Sequence, residues 1–379
     1  MTESSSLLAA LPGRVRIALR RDRPIYLMIA AYALAGAGFL AVIGEFDPSV
    51  FFVYVHGYAA NALALMPAVV IGLSLLVVRF RHRHRRMLVL RMMLRPQRLA
   101  RGLAGVVLVI AMAIFQGTFT AIKTALPEVT QAFATQPFFA DPAFADLERA
   151  VFGGDPWQQL HALLPDSVTL MRLVELNYGV GWAIVTMLIL FHFATSPRAD
   201  GLRIRYFACF ILTWFLLGNV FAAVGMSAGP ALYGFATGDP ARFADLVAAL
   251  SPTGGMPFSA SSFQAYLADA YRGGEGGFGT GISAFPSLHV GAMMIDALFL
   301  REIDRRLGLA AFAYTALIWV SSVYLGWHYA VDGLFSILFV AGLYAAALRA
   351  PAILATPKAR PSALRPADTA PQGAVPSLR

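Results

Sequence analysis

The sequence predicts an all-α fold, a polytopic membrane helix bundle of about eight transmembrane helices with two long outer-side loops. Three observations lead there. Of 379 residues, 58% are hydrophobic and 13% charged, with a mean hydropathy of +0.65, against roughly 45–50% and about 25% in soluble domains. The apolar residues fall in runs of about 17–25, the length that crosses roughly 30 Å of hydrocarbon at 1.5 Å per residue. The arginines fall in alternate connections, as the positive-inside rule requires. The formal charge of +9 is therefore assigned to cytoplasmic loops, and nucleic acid is not an expected partner. The one cysteine, Cys209, excludes a disulfide framework within the chain.

Residues 1–24 read as a basic cytoplasmic N-terminus carrying Arg14, Arg16, Arg20, Arg21 and Arg23. The apolar run that follows is too long for a signal-peptide core and has no small-residue cleavage site after it, so it is expected to remain as an anchor. The transmembrane domain, 25–350, is expected to place spans at 25–45, 57–79, 102–125, 171–194, 204–226, 285–300, 309–325 and 330–349. The connection 79–101 holds nine arginines, and the next connections on that side hold Arg198, Arg203 and Arg205, then Arg301, Arg305 and Arg306. On the other side, 46–56 has no Lys or Arg, and 126–167 has Arg149 against six acidic residues. One orientation satisfies every connection, with both termini in the cytoplasm. The two long connections, 126–167 and 227–283, then lie outside, where loops over a scaffold often carry function. The first should contain an interfacial helix near 143–152 and a turn in GGDPW; the second is rich in glycine at 272–281. The tail, 351–379, has six prolines and no aromatic residue and is expected to be disordered cytoplasmic chain.

Of seven histidines, His82 and His84 belong to the basic inner loop, and His56, His161 and His192 sit at helix borders where polar-tipped rings settle. His289 and His328 differ. His289 follows Pro286, whose fixed φ suits the first turn of a helix, so Ser287, Leu288 and His289 would open the sixth span. Free N–H groups at such an end attract phosphate oxygens. His328 and Asp332 are four apart and share a face if 328–332 is helical. The carboxylate could then fix the imidazole tautomer and leave the other nitrogen free to attack. That spacing alone equally allows a structural ion pair or a proton relay. The arginine-derived orientation brings His289, His328 and Asp332 to one depth, at the outer interface. Lys123, in the last turns of the third span, either snorkels to that interface or holds a cation over a phosphate; Arg272 is a second candidate for that work. Asp296, Glu175 and Arg172 should face protein rather than lipid.

The segment Pro286-Ser287-Leu288-His289, with Ser321 leading to His328 and Asp332, resembles the two motifs of the type 2 phosphatidic acid phosphatase superfamily. FPSLHV with YLGWHYAVD is similar to the branch containing fungal inositol phosphorylceramide synthase and its bacterial relatives. The core motifs span 283–333, and the likeness extends loosely to IKTALP, to DPW at 155–157 and to SAGP at 227–230. The resemblance implies a catalytic helix bundle with its site at the outer leaflet, needing neither metal nor cofactor. It implies that His328 is the nucleophile that forms a phosphohistidine, that Asp332 orients it, and that His289 protonates the leaving oxygen. Ser287 and Lys123 would hold the non-bridging oxygens. The sequence departs from the phosphatase pattern at Ser322, where that branch has arginine, and it lacks the basic first motif. Arg95-Pro96 is present, but Leu88 stands at its lysine position and the segment is expected in the cytoplasm. These losses favour a transferase, with a lipid phosphate or polyprenyl phosphate as donor and an alcohol such as inositol as acceptor, over a hydrolase that uses water. A proton-coupled transporter, the competing class, would place its ionisable residues near mid-membrane in broken spans. The expected location is a bacterial inner membrane with the site facing the periplasm; oligomeric state has no signature in the sequence.

Overall fold

The computed structural model describes residues 11–80, 95–274 and 279–349. Among these there are fourteen α-helices and no strand. They are α1 (Leu11–Arg21), α2 (Arg23–Ile43), α3 (Pro48–Phe80), α4 (Pro96–Gln131), α5 (Asp141–Phe152), α6 (Pro156–Leu163), α7 (Val168–Thr195) and α8 (Arg203–Val224), then α9 (Tyr233–Thr237), α10 (Ala244–Leu250), α11 (Ala260–Gly273), α12 (Leu288–Ile303), α13 (Arg305–Tyr324) and α14 (Ala330–Arg349). Six of them, α2, α4, α7, α8, α13 and α14, are long and apolar enough to cross a membrane. The chain is an all-α polytopic membrane bundle.

Those six coincide with six of the expected spans. Of the other two, 57–79 lies inside α3, a 33-residue helix, and 285–300 corresponds to α12, which has 16 residues. At 1.5 Å per residue α12 is about 24 Å long. It packs against α8, α13 and α14 and is buried around its circumference, with Val290, Gly291, Ala292, Ile295, Ala297 and Phe299 all enclosed. A helix apolar on every side belongs in such a centre. A Cβ at Gly291 would stand 2.6 Å from Leu217 Cδ1, so glycine is what lets α8 approach.

α4 runs past the expected end at 125 to Gln131, carrying Pro127 within it. The first long loop holds α5, where a helix was expected at 143–152, and also α6. The second holds three helices, α9, α10 and α11, that its glycine content concealed. α7 and α8 each contain one π turn, Asn177–Gly181 and Leu216–Phe221. His82 and His84, part of the glycine run and the 351–379 tail lie outside the described residues.

The arginine-rich ends converge. Asp22 is buried 2.5 Å from Arg101 and 4.0 Å from Arg203, which also pairs with Asp200 at 2.5 Å. Arg205 pairs with Glu302. The starts of α2, α4 and α8 and the end of α12 therefore share one end of the bundle, and the histidine motifs occupy the other. Asp296 and Glu175 face protein, as expected: Tyr206 donates to Asp296 at 2.8 Å, and Glu175 accepts from Arg172, Thr253 and the Ala260 N–H.

Candidate active site

The site is built where α12 begins and α13 hands over to α14. Ser287 is the residue immediately before α12, and Leu288 opens the helix. Pro286 thus lies outside the first turn, after a cis Phe285–Pro286 bond, which corrects its expected place at the helix start. His289 sits in that first turn. Its ring stacks on Tyr178 at 4.5 Å and 19°, and lies 4.0 Å from Trp182, whose Nε1–H donates to the His289 carbonyl at 3.1 Å.

His328 precedes α14 rather than lying within it, so the expected shared helix face does not exist. The loop 325–329 is folded by main-chain bonds: the Ser322 carbonyl accepts from Trp327 at 3.0 Å and His328 at 3.4 Å, and the Ser321 carbonyl accepts from Leu325 at 3.0 Å. Ser322, where an arginine was missed, donates its hydroxyl to the Trp319 carbonyl at 2.6 Å. It is fully buried, and its place is structural. Asp332 reaches back from the first turn of α14 to accept the Tyr329 N–H at 3.0 Å, leaving Oδ2 3.5 Å from His328 Nδ1.

That nitrogen has a closer partner. His328 Nδ1 is 2.6 Å from the Ala284 carbonyl, and because a carbonyl only accepts, Nδ1 must carry the hydrogen. Nε2 is left with a free lone pair. Main chain, backed by Asp332, therefore fixes the tautomer that the sequence assigned to Asp332 alone. The Ala284–Phe285 segment is itself held by Ser227: its carbonyl accepts from Ala284 at 2.7 Å and its hydroxyl from Phe285 at 3.1 Å. Burial pushes the His328 imidazole down to about 3, with the Ala284 bond opposing and the Lys123 charge adding.

The two imidazole centroids are 6.2 Å apart, so residues 39 apart in the chain converge as the orientation argument required. Lys123 is half-buried, has no ion-pair partner among the described residues, and its charge bears on both histidines. Gly281, at φ +98°, packs against it; a Cβ there would stand 3.2 Å from Lys123 Cγ. Ser287 is fully buried with a hydroxyl that meets no partner among the described residues. Arg272 pairs with Asp269 at 3.0 Å on an exposed surface, and its guanidinium lies 5.0 Å from the Phe235 ring centre. A neighbouring carboxylate and an aromatic face share its charge there.

Two carboxylates of α5 were missed. Buried Asp141 accepts from the Ala228 and Gly229 N–H groups at 2.7 and 3.0 Å and from the Tyr329 hydroxyl at 2.8 Å. Buried Glu148 accepts from the Ala330 N–H at 3.1 Å. Burial raises Asp141 to about 7 and Glu148 to about 8, with Asp332 adding to both. In sequence they were acidic outer-loop residues, with nothing in their spacing to mark their burial. His161 is structural, donating to the Tyr324 carbonyl at 2.9 Å and stacking on that ring at 4.1 Å.

A model of the PAP2 superfamily matches residues 142–346, more than half the chain. The chain belongs to the PAP2 superfamily. No curated protein and no solved structure matches it. The PAP2 match runs from α5 through most of α14, so it includes Ser287, His289, His328 and Asp332, while Lys123 on α4 lies before it. Membership supports a lipid phosphate activity of the phosphatase or phosphotransferase type.

Proposed function

We propose that this PAP2 protein transfers a phosphoryl-bearing group from a membrane lipid through a phosphohistidine on His328. The observation that carries the reading is the pair of imidazoles 6.2 Å apart, one of them with Nδ1 capped by a carbonyl. That spacing leaves room for one phosphorus between two rings, with attack and departure on opposite sides. His328 Nε2 forms the bond to phosphorus as the bond to the leaving oxygen breaks, and His289 gives that oxygen its proton. His289 then takes a proton from the incoming hydroxyl, which displaces His328. Ser287 and Lys123 hold the non-bridging oxygens, Ser287 through a buried hydroxyl without a hydrogen-bond partner among the described residues and Lys123 through its ammonium. Asp332 steadies the imidazole as it gains charge.

The donor is a phospholipid or polyprenyl phosphate presented from the outer leaflet. The likeness of FPSLHV and YLGWHYAVD to the inositol phosphorylceramide synthase branch, with Ser322 in place of arginine, favours an alcohol such as inositol as acceptor; water in its place makes the protein a hydrolase. The arginine-rich end of the bundle faces the cytoplasm with both termini, and the site faces the periplasm of a bacterial inner membrane. Purified protein in detergent should release phosphate or exchange headgroups from a lipid panel and form an acid-labile phosphoenzyme, and His328→Ala should do neither. Equal turnover by the two proteins would refute the reading. Phosphate release that ignores added inositol and other alcohols would make water the acceptor.

A further inference from the structure

Tyr178 is 5% exposed, yet its hydroxyl meets no hydrogen-bond partner among the described residues. A buried phenol ordinarily finds a partner. Its ring is stacked on His289, with the centroids 4.5 Å apart. Of the other buried polar atoms without a partner, Ser287 Oγ and Asp332 Oδ1 belong to this same site. Buried polar atoms without a partner among the described residues thus come from α7, from the residue before α12 and from α14.

The backbone under Tyr178 points the same way. It lies in the π turn Asn177–Gly181, where the Trp182 N–H reaches the Asn177 carbonyl across five residues. Such turns are rare and concentrate at functional sites. This one is braced from α13, where the Tyr314 hydroxyl donates to Asn177 Oδ1 at 3.2 Å. A Cβ at Gly181 would stand 3.1 Å from that Asn177 oxygen. Tyr178 and Trp182, four residues apart across this turn, both lie against His289.

We infer that the Tyr178 hydroxyl is a further catalytic group, the second donor to the oxygen that leaves phosphorus beside His289. This rests on the reaction proposed above. As the phosphorus–oxygen bond breaks, the electron pair goes to that oxygen; His289 supplies the proton, and Tyr178 keeps its own proton while donating a hydrogen bond to the developing charge. On return the entering hydroxyl of water or alcohol occupies the same position, and Tyr178 orients it for proton removal by His289. The ligand class recognised here is therefore a hydroxyl compound.

Full-length Tyr178→Phe in detergent tests this, since phenylalanine keeps the ring and its stack on His289. Two phosphate esters are compared, p-nitrophenyl phosphate, whose leaving oxygen needs little help, and dioctanoyl phosphatidic acid, whose alkoxide needs much. Tyr178→Phe should lower kcat on the alkyl ester by about tenfold or more, and leave the nitrophenyl ester within about twofold. An equal loss on both esters, or no loss on either, overturns the inference and reduces Tyr178 to packing. Tyr178→Leu, which also removes the stack, should slow both. His328→Ala separates the two proposals: retained turnover there, or a wild-type protein inactive on both esters, removes the phosphohistidine reading itself.

Discussion

Asp332 shows how a single residue's weight depends on what else shares its task. Where a carboxylate alone fixes a catalytic imidazole, its amide replacement costs about 10⁴-fold. Here the Ala284 carbonyl already holds Nδ1–H at 2.6 Å against 3.5 Å for Asp332. Asp332→Asn should therefore lower kcat by only about 10- to 100-fold with little change in KM, and a loss near 10⁴ would mean that the carboxylate, not the carbonyl, governs the tautomer. Lys123→Met should instead raise KM for the lipid phosphate and lower kcat/KM by roughly 10- to 100-fold, because it removes a cation from the phosphate rather than a proton carrier. The sequence disclosed His289, His328 and Asp332 because their chemistry is spelled in side chains. It could not disclose Ala284, whose contribution is main chain and independent of residue identity.

At the scale of elements, the hydropathy runs exposed most of the long helices, since burial and length in lipid leave a strong mark. The π turns left none, because one extra residue in a turn changes no composition. Nor did α5 advertise that its acids would bind loops more than eighty residues away. Those acids predict a pH response. The Asp141 and Glu148 protons are held to about 7 and about 8 in the folded chain, against ordinary values of 3.8 and 4.5. Groups raised in this way stabilise fully below the lower values, and that stabilisation is lost as pH rises through the upper ones. Melting temperature in detergent should fall between pH 5 and 9, and Glu148→Gln, which still accepts the Ala330 N–H, should flatten the fall. A decline of the same steepness in the variant would refute this role. Gly229 tests the loop between α8 and α9: at φ +91°, with a Cβ that would stand 2.6 Å from the Trp327 carbonyl, Gly229→Ala should cost about 1–3 kcal/mol and displace the loop that carries His328. Activity falling further than stability would be the sign of it.

The whole molecule is polarised, with paired arginines at one end and unpaired site groups at the other. That separation makes topology testable with the native cysteine left in place, because Cys209 is 1% exposed. A cysteine at exposed Asp239 should be labelled by an impermeant maleimide from the periplasmic side of sealed cells, and one at exposed Arg306 only after lysis; the reverse pattern would invert the orientation. The site end is also where the two long loops are tied together. Arg242 grips Asp155 with both nitrogens at 2.8 and 2.9 Å, and Arg149 adds a longer contact at 3.2 Å. Since Arg149 remains, Arg242→Ala should cost about 1–2 kcal/mol and show faster hydrogen exchange across 227–274 and α5, a pattern confined to one loop being the contrary result.

The peptide carbonyl that fixes the His328 ring has a genetic consequence. Twenty different codon outcomes at position 284 would all supply that oxygen, so no missense change can delete it outright. Inheritable loss of the ring's setting has to come from positions that steer the peptide plane, and Ser227, whose side-chain hydroxyl accepts from the Phe285 N–H of that plane, is where such alleles should collect.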